Sequence, residues 1–190
     1  MHFNTALVLS VLPLSAFAAA VPQEDTGMIS ETFTTPSGEA RTVQYSGALS
    51  KRQTGKYRPP VYVQADPSFH AKDEPSDECG DSTFHNKSSG GSPLVADCQC
   101  LVDWLRQNNG WFSVSPAGGR FAAFAHCGTC TFGAHSKNIM GTVIGNTDIA
   151  DIVQDSIKRF EWEGRVGAEG DMGCYSVLDT ARVEWAVFHS

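Results

Sequence analysis

Residues Ser92 to Leu105, with the sequence SPLVADCQCLVDWL, show the clearest helical pattern of the chain. Their apolar side chains recur at intervals of three and four residues, a spacing typical of one face of an amphipathic helix. Ser92 suits the N-cap of this helix and Pro93 its first position, so we predict that the helix begins there. Cys98 and Cys100 lie inside it, and we therefore expect disulfide bonds to tie the helix to other parts of the chain.

The positions of the cysteines restrict how they pair. In a helix Cys98 falls on the apolar face, whereas Cys100 lies about 200° further round and points away from the sheet. Cys127 and Cys130, three residues apart on an extended segment, are predicted to face opposite ways. Six cysteines in a secreted chain are most simply three disulfides, but several connectivities fit these directions. One that fits pairs Cys98 with Cys130, Cys100 with Cys127, and Cys79 with Cys174.

The remaining pattern predicts a second amphipathic helix and several strands. The second helix begins near Asn146 and stops at Gly164, whereas the first stops at the Asn-Asn-Gly run of residues 108–110. Strands are predicted at 111–115, 120–125, 129–134, 139–144 and 183–187. Elements in this order indicate an α+β fold, a disulfide-stabilised antiparallel sheet with both helices packed on one face.

The N-terminal third of the chain is expected to serve secretion and maturation. Residues 1–20 combine an apolar stretch with small residues before a cleavage site, which is typical of a signal peptide. Residues 21–52 lack cysteine and are rich in Thr, Ser, Gly, Glu and Gln, so we predict a disordered pro-segment. It ends at Lys51-Arg52, a dibasic site for a kexin-type protease of the secretory pathway.

The mature chain then divides into an arm and one domain. Residues 53–77 contain four prolines and are predicted to form an extended arm, in which 61–63 docks as an edge strand. The ordered domain is placed at 78–190 and begins near Cys79. Asn86 heads an Asn-Lys-Ser sequon and is a predicted glycosylation site.

Charge and hydropathy exclude two classes of partner. The chain carries a formal net charge of −7 and no block of basic residues, which argues against nucleic acid and anionic membrane as the main partner. Beyond the leader, no run approaches the roughly 20 apolar residues of a transmembrane helix. We therefore expect a secreted, extracellular protein without a transmembrane segment.

The spacing of two cysteine pairs also suggests a metal or redox site. Cys127-Gly128-Thr129-Cys130 has the spacing of a thioredoxin-like motif or of half a zinc site, and Cys98-Gln99-Cys100 with His126 could supply further ligands. A redox pair belongs at a helix N-terminus, whereas this one falls among strands. Since disulfides are favoured in an oxidising compartment, we predict neither a metal nor a cofactor.

Acid and base residues offer two catalytic hypotheses. The residues concerned are His126, His135 and His189, Glu161, Glu163 and Arg165, and Asp151 with Asp155. Histidines with a glutamate and an arginine serve small ribonucleases, and paired carboxylates serve glycosidases. However, the Glu and Arg residues lie at a helix end and the two aspartates lie on a polar helix face. Because no nucleophile motif is present either, the sequence predicts a protein that is not an enzyme.

The four tryptophans could include a platform for stacking sugars. Trp185 alternates with Val183 and Val187, so we predict that it lies in the core. Trp162 lies near the end of the second helix, and it is the tryptophan that we expect to be exposed and to contact a partner.

Several strings are more specific than these patterns. They are CGDSTF at 79–84, SPLVADC at 92–98, GTCTFG at 128–133, GNTDI at 145–149, DSIKRF at 155–160 and VGAEGDMGC at 166–174, with Trp185 after them. In this order and spacing the chain resembles the fungal "putative necrosis-inducing factor" family, the homologues of a leaf-mould effector called extracellular protein 2. The resemblance covers about residues 78–188.

The resemblance implies a secreted fungal effector or toxin that acts non-enzymatically on host plant cells, by inducing cell death or modulating immunity. A killer-toxin-like antimicrobial protein aimed at competing fungi is one alternative, and a carbohydrate-binding module is another. The family is also similar in fold to a killer toxin with an α/β-sandwich. The target, a host or microbial receptor or a cell-surface component, is not specified by the sequence.

The family pattern has four cysteines, which correspond to Cys79, Cys98, Cys130 and Cys174. Cys100 and Cys127 depart from that pattern. The resemblance thus implies that these two form an additional disulfide with each other.

Overall fold

The structure, a computed structural model, describes residues 28–47, 68–116, 121–176 and 179–190. The predicted signal peptide, Lys51-Arg52 and residues 53–67 lie outside these ranges. The elements in chain order are β1 (Met28–Thr34), β2 (Ala40–Ser46), β3 (Phe69–Ala71), β4 (Cys79–Ser82), β5 (His85–Asn86), α1 (Val95–Gln107), β6 (Gly110–Val114), β7 (Ala122–Cys127), β8 (Cys130–Ser136), β9 (Thr142–Gly145), α2 (Asn146–Phe160), β10 (Ala168–Tyr175) and β11 (Thr180–His189).

Two antiparallel sheets and two helices form the fold. The larger sheet has the strand order β1-β2-β7-β8-β11-β10-β4, and β5 pairs with β10 beside β4. The smaller sheet has the order β3-β6-β9. Helix α1 packs on β7 and β8 and also against α2, which contacts β9 and β6. The predicted disulfide-stabilised α+β class is confirmed. The prediction of a single sheet was incomplete, because β6 and β9, which overlap the predicted strands at 111–115 and 139–144, pair with the three-residue β3 in a second sheet.

The core lies between α1 and the larger sheet. Trp104, Leu101 and Leu105 of α1 are fully buried, as are Phe132 of β8 and Trp185 of β11. The prediction that Trp185 belongs to the core is therefore confirmed. Burying aromatic side chains of this size is the largest apolar contribution to a domain of this length.

The predicted start of the first helix is wrong. Helix α1 begins at Val95 and its N-cap is Leu94, whose N–H donates to Thr129 Oγ1 at 2.9 Å. Ser92 does not cap the helix, because its hydroxyl accepts the N–H of Ser89 and donates to the carbonyl of Lys87. The hydroxyl is thus already used by the preceding loop.

The second helix begins at Asn146 as predicted but ends before Gly164. Its last residue is Phe160, and the chain then makes a tight two-residue turn at Glu163 and Gly164, which both have positive φ. The Gly164 conformation belongs to this turn and not to a helix terminus.

The N-terminal segment predicted to be disordered instead contains a β-hairpin. Strands β1 and β2 pair from Met28–Ser46 to Thr34–Ala40, and β2 continues the larger sheet by pairing with β7. The prediction of disorder is therefore wrong for residues 28–47. The polar composition concealed an alternation in which Arg41, Val43 and Tyr45 of β2 face α1, whose residues lie far away in sequence.

The ordered part also begins before Cys79. Strand β3 pairs with β6, with Phe69 opposite Phe112, so residues 68–77 are not the extended arm that the prolines indicated. The predicted edge strand at 61–63 lies outside the described residues.

Three disulfides join Cys79 to Cys174, Cys98 to Cys130, and Cys100 to Cys127. These are the pairs that the sequence analysis gave as one possible connectivity. The predicted side-chain directions were nevertheless wrong for both closely spaced cysteine pairs. Cys127 and Cys130 are directly opposite each other across the two-residue turn of the β7–β8 hairpin, and therefore share one face. Both Cys98 and Cys100 are buried, because α1 lies over the end of that hairpin.

Candidate functional site

An acidic cleft of about 600 Å³ lies between α2 and the strands β4 and β10. Five aspartates line it, from the loop before β4, from β4 and from α2: Asp77, Asp81, Asp148, Asp151 and Asp155. Arg159 is a cation at its wall, and its guanidinium also lies 4.3 Å from the centre of the Phe84 ring. The cleft is therefore negatively charged, with one aromatic–cation pair at its edge.

Asp148 is the most enclosed of these carboxylates. It lies in the first turn of α2 and accepts the backbone N–H of Glu78 at 2.9 Å, of Cys79 at 3.3 Å and of Gly145 at 2.8 Å. Burial, followed by a hydrogen bond with Asp77, raises the pKa of Asp148 to about 7. Near neutral pH the pair therefore holds a proton, while the backbone donors fix the start of α2 beside the Cys79–Cys174 disulfide.

The two aspartates that suggested a glycosidase pair are occupied by ion pairs. Asp151 lies 3.7 Å from Arg106 of α1, and Asp155 lies 3.1 Å from Lys158 and 3.3 Å from Arg159. Across the part of the chain that the structure describes, no three His, Cys, Asp or Glu side chains are grouped to hold a metal ion. Among the described residues the cleft thus offers no group of side chains to hold a metal ion, and in its proton-sharing pair, Asp77 with Asp148, the latter is engaged by backbone N–H groups.

A second cluster lies on the face of the larger sheet opposite the helices. Glu184 of β11 is 2.9 Å from His135 Nε2 and 3.0 Å from Lys137 Nζ. The hydrogen bond from Lys137 is the main cause that lowers the pKa of Glu184. This cluster contains one of the predicted acid–base residues and a carboxylate that sequence reasoning missed, since only the register of β8 and β11 brings the two together.

His135 is poorly placed for catalysis. Its side chain is only 3% exposed, and its ring lies 5.4 Å from that of Phe121, which is partly exposed above it. A substrate in solvent cannot reach an imidazole that is covered in this way. The pair of His135 and Glu184 therefore acts within the structure, by joining two neighbouring strands.

The other two histidines lie elsewhere on the sheet. His126 is opposite Thr131, and its Nε2 is 2.7 Å from Gln44 Oε1; burial lowers its pKa. His189 is opposite Cys130. Along β8 these positions are four or five residues from His135, a separation of about 13 to 17 Å at the usual rise of a strand. The structure does not bring the three histidines into one site.

The glutamates and the arginine that follow α2 do not form a site with the three histidines. Glu161 and Glu163 are exposed, and the guanidinium of Arg165 donates to the carbonyl of Ser92 at 2.7 Å. Arg165 thus fixes the loop before α1.

Trp162 is exposed as predicted, with 47% of its surface accessible. It is held by the turn after α2, in which its N–H and that of Arg165 each donate to the other's carbonyl, at 2.8 and 2.9 Å. This is the hydrogen-bonding of a two-residue turn that strongly restricts the backbone. Leu94, 41% exposed, also pairs with Arg165, so two apolar side chains flank one rigid segment. We call Trp162 and Leu94 the apolar patch.

The predicted glycosylation site lies on the surface. Asn86 is exposed in β5, and its side-chain oxygen accepts the N–H of Ser88, the third residue of the sequon, at 2.8 Å. The described ranges contain no helix long and apolar enough to cross a membrane.

Comparison with known proteins identifies relatives of this chain. The family model Hce2, described as "Pathogen effector; putative necrosis-inducing factor", matches residues 78–174. The chain is 35% identical over 114 residues to "Probable chitinase LysM18" of Penicillium expansum, an alignment that covers 58% of this chain and 8% of that protein. It is 29% identical over 113 residues to "Secreted chitinase LysM12" of the same species, covering 57% and 7%. The alignments therefore span less than a tenth of either relative.

Proposed function

Because the chain belongs to the Hce2 family of pathogen effectors, we propose that it is a secreted fungal effector that acts on host plant cells through a binding surface, without catalysis. Its effect would be to induce cell death or to modulate immunity. Three disulfides within 79–174 support a domain that stays folded outside the cell. The effector role is proposed from the family, and the action through binding is proposed from the exposed surface of the domain.

The apolar patch is the observation that carries this proposal. The acid–base residues that the sequence singled out are buried, paired or dispersed. Trp162 and Leu94 are instead exposed, and each pairs with Arg165 of the rigid turn after α2. Tryptophan in a pre-organised position is enriched among residues that dominate binding energy. The patch is therefore the surface that we assign to the target.

Infiltration of the purified protein into leaves tests the assignment. We expect the wild-type protein to cause cell death and Trp162→Ala to need about ten-fold or more protein for the same response, as for a residue that dominates an interface. The matched control is Ile139→Ala, since Ile139 is an apolar side chain that is 85% exposed elsewhere on the surface. Equal activity of Trp162→Ala and the wild type would exclude the apolar patch, and a wild type that neither kills leaf cells nor alters their immune response would exclude the effector role.

A carbohydrate-binding module is the second candidate. The names of both relatives include chitinase, and an exposed tryptophan can stack on a sugar ring. Pull-down of the protein on insoluble chitin and on plant cell-wall glycans, with Trp162→Ala beside it, separates this function from an effector that binds a protein. Release of sugars from chitin in the same samples would reveal catalysis and contradict the non-enzymatic proposal.

The killer-toxin-like alternative requires a different target cell. Growth assays on competing fungi, run with the same protein preparations as the leaf assay, decide between the two. Inhibition of fungal growth without any response in leaves would favour the antimicrobial function.

We further propose the maturation steps that a secreted protein of this composition requires. Removal of residues 1–20 and cleavage after Arg52 would give a mature N-terminus at Gln53, which mass spectrometry of the secreted protein detects. A secreted chain that starts near Val21 and continues uncut beyond Arg52 would contradict the second cleavage. Occupancy of Asn86 is tested by enzymatic deglycosylation, with Asn86→Gln as the control that shows no change of mass.

A further inference from the structure

No disulfide attaches the N-terminal hairpin to the rest of the domain, so non-covalent contacts hold it in place on the sheet and on α1. Residues 28–47 contain no cysteine, and all three disulfides join residues between 79 and 174. The hairpin also lies outside the region that matches the family, which starts at 78, whereas the surface beneath it lies inside. We call that surface the strand site: Asp97 and Trp104 of α1 together with the free edge that β7 presents to β2.

Polar contacts fix the hairpin at several points of the strand site. Arg41 Nη2 donates to Asp97 Oδ1 at 2.5 Å. The indole N–H of Trp104 donates to the Glu31 carboxylate at 3.2 Å. Further along α1, the side chain of Gln107 donates to the backbone carbonyl of Thr34, also at 3.2 Å. Both strands of the hairpin are therefore bound to the same helix.

Backbone pairing and packing complete the contact. In β2, Val43 and Tyr45 pair with Cys127 and Ala125 of β7, and Val43 has no exposed surface. The ring of Tyr45 lies 4.7 Å from that of Trp104. Since side chains of a strand alternate between faces, Arg41, Val43 and Tyr45 all point to the same side, towards α1.

The opposite face of β2 contacts β7 and β1 and not α1, and there the buried hydroxyl of Ser46 donates to the carbonyl of Phe124 at 3.2 Å. Gln44 points away from α1 and meets His126 of β7 at 2.7 Å, and Thr42 is exposed and bonded only to Thr32 of β1. The strand site thus contacts alternate residues of β2: the cation of Arg41, the β-branched side chain of Val43 and the aromatic ring of Tyr45.

We infer that the strand site is a peptide-binding site for an extended strand of the pattern Arg-x-Val-x-Tyr, and that its ligand is the chain's own hairpin, which stays bound as a separate chain after the segment between Gly47 and Ser68 is cut. The site recognises its ligand by β-strand addition, in which backbone pairing gives affinity and pockets for alternate side chains give specificity. In the organism, the cut would be the proteolytic maturation at Lys51-Arg52 that we proposed above, and this part of the inference rests on it. The strand site itself does not depend on that step.

Loss of the hairpin would leave several groups of the strand site without their hydrogen-bonding or packing partners. Asp97, whose side chain is 12% exposed, would lose its guanidinium partner, Trp104 would lose both a ring contact and the acceptor for its N–H, and β7 would have an unpaired edge. Unpaired strand edges associate readily with other strands. The mature protein is thus a two-chain complex in which the shorter chain covers an edge that would otherwise bind another strand.

To test this, a recognition sequence for a site-specific protease is inserted between Gly47 and Ser68 of the full-length protein, and the purified protein is cut there. The products are then separated by size-exclusion chromatography under native conditions, and each peak is identified by mass spectrometry. We expect the two chains to co-elute in equal amounts and to separate only in denaturant. This design does not use Lys51-Arg52, so a failure of natural processing and a failure of the strand site are distinguishable.

Variants of the hairpin show whether the strand site is responsible. Val43→Asp and Arg41→Ala should each weaken retention of the cut hairpin by about ten-fold or more, since each removes a buried contact or a charged hydrogen bond. Thr42→Ala is the matched control on the exposed face and should retain the hairpin like the wild type. Circular dichroism of the remaining domain establishes that it stays folded.

A synthetic peptide of residues 38–47 provides an independent measurement. It should displace a labelled hairpin from the cut protein, whereas the same peptide with Val43→Asp should not. Elution of the wild-type hairpin apart from a folded domain would overturn the inference. Retention that Val43→Asp leaves unchanged would overturn it as well, because the hairpin would then be held elsewhere.

Discussion

The guanidinium of Arg41 lies 2.5 Å from the carboxylate of Asp97, although 56 positions separate the two residues in the sequence. The other oxygen of Asp97 accepts the backbone N–H of Thr129 at 2.8 Å and its hydroxyl at 2.7 Å. One carboxylate in the first turn of α1 therefore connects the N-terminal hairpin to the turn between Cys127 and Cys130. A negative charge at the start of a helix is favourable in addition.

Asp97→Asn is expected to destabilise the protein near neutral pH by about 1.5 to 3 kcal/mol, the range for hydrogen bonds to a charged group. Burial acts to raise the pKa of Asp97, but the hydrogen bonds from Thr129 and Arg41 outweigh it and hold the pKa below its ordinary value. A lowered pKa stabilises the fold above the unfolded-state value near 4, and this contribution is lost as the pH falls through the folded-state value. The difference between variant and wild type should therefore shrink in strong acid.

Thermal unfolding at neutral pH and at about pH 2 measures this effect. Asp103→Asn is a suitable control, because Asp103 lies on the same helix and is bonded to the neutral side chain of Gln99. A loss of stability by Asp97→Asn that is equal at both pH values would show that its charge is not responsible.

Asp148 should make the protein less stable as the pH rises through neutrality. Its raised pKa, about 7, reflects burial and the hydrogen bond with Asp77. Because the folded state binds the proton more tightly than the unfolded state, this stabilisation is complete below about pH 4 and is lost as the pH rises through about 7. The wild type should lose about 2 to 4 kcal/mol over that interval on account of this carboxyl.

Asp77→Asn should make that loss of stability smaller, and chemical denaturation from pH 4 to pH 8.5 measures it. Removing the negative charge and the shared proton lowers the pKa of Asp148 in the folded state. We therefore expect the loss still to begin near pH 4 but to end at a lower pH than in the wild type. Asp151→Asn, an exposed carboxylate at the rim of the same cleft, should leave the profile unchanged. A profile that Asp77→Asn does not alter would assign the pH dependence to another group.

The two disulfides that differ most in loop length should differ in their effect on stability. Cys79 and Cys174 are 95 positions apart, whereas Cys100 and Cys127 are 27 apart. In the chain-entropy model the longer loop contributes about 4.7 kcal/mol and the shorter about 3.6 kcal/mol. Denaturation of the two double-alanine variants should show the larger loss for Cys79→Ala with Cys174→Ala. The reverse order would indicate that lost packing of the buried Cys100–Cys127 pair outweighs chain entropy.

Single substitutions of acid and base residues should leave biological activity in place. His126→Ala, His135→Ala, Asp151→Ala and Glu161→Ala should each keep substantial cell-death activity when compared at equal amounts of folded protein. His135→Ala should lower the melting temperature, because it removes a strand-to-strand contact with Glu184. A folded and stable variant with activity reduced by about a hundred-fold or more would instead indicate a lost catalytic acid or base.

The helices were predictable because their stabilising pattern is local. Ile149, Ile152 and Val153 recur at helical spacing, and a helix with one apolar stripe buries it against whatever sheet is present. The cysteine pattern likewise indicated three disulfides, since redox compartment and count suffice for that. The exposure of Trp162 followed from its place beyond the helix.

Strand β10 shows why other elements were missed. Its sequence, AEGDMGCY, contains glycines and charges that are unfavourable in strands. It forms because β11 pairs along its whole length and β4 and β5 pair with its other edge. Gly170 is required there, since a Cβ would meet the carbonyl of Thr83 and the ring of Trp185. Of these neighbours β11 follows β10 directly in the chain, whereas β4, β5 and Thr83 precede it by more than 80 residues.

Local sequence was enough to indicate three disulfides from six cysteines, two amphipathic helices and the motifs of one effector family. Composition and periodicity are sums over neighbouring residues, so they report what local interactions stabilise. Contacts in the folded chain bring residues 28–47 into the sheet, cover His135 and pair it with Glu184, and bind Asp97 to Arg41. Each of these depends on contacts between distant segments, whose free energy exists only once the chain has folded.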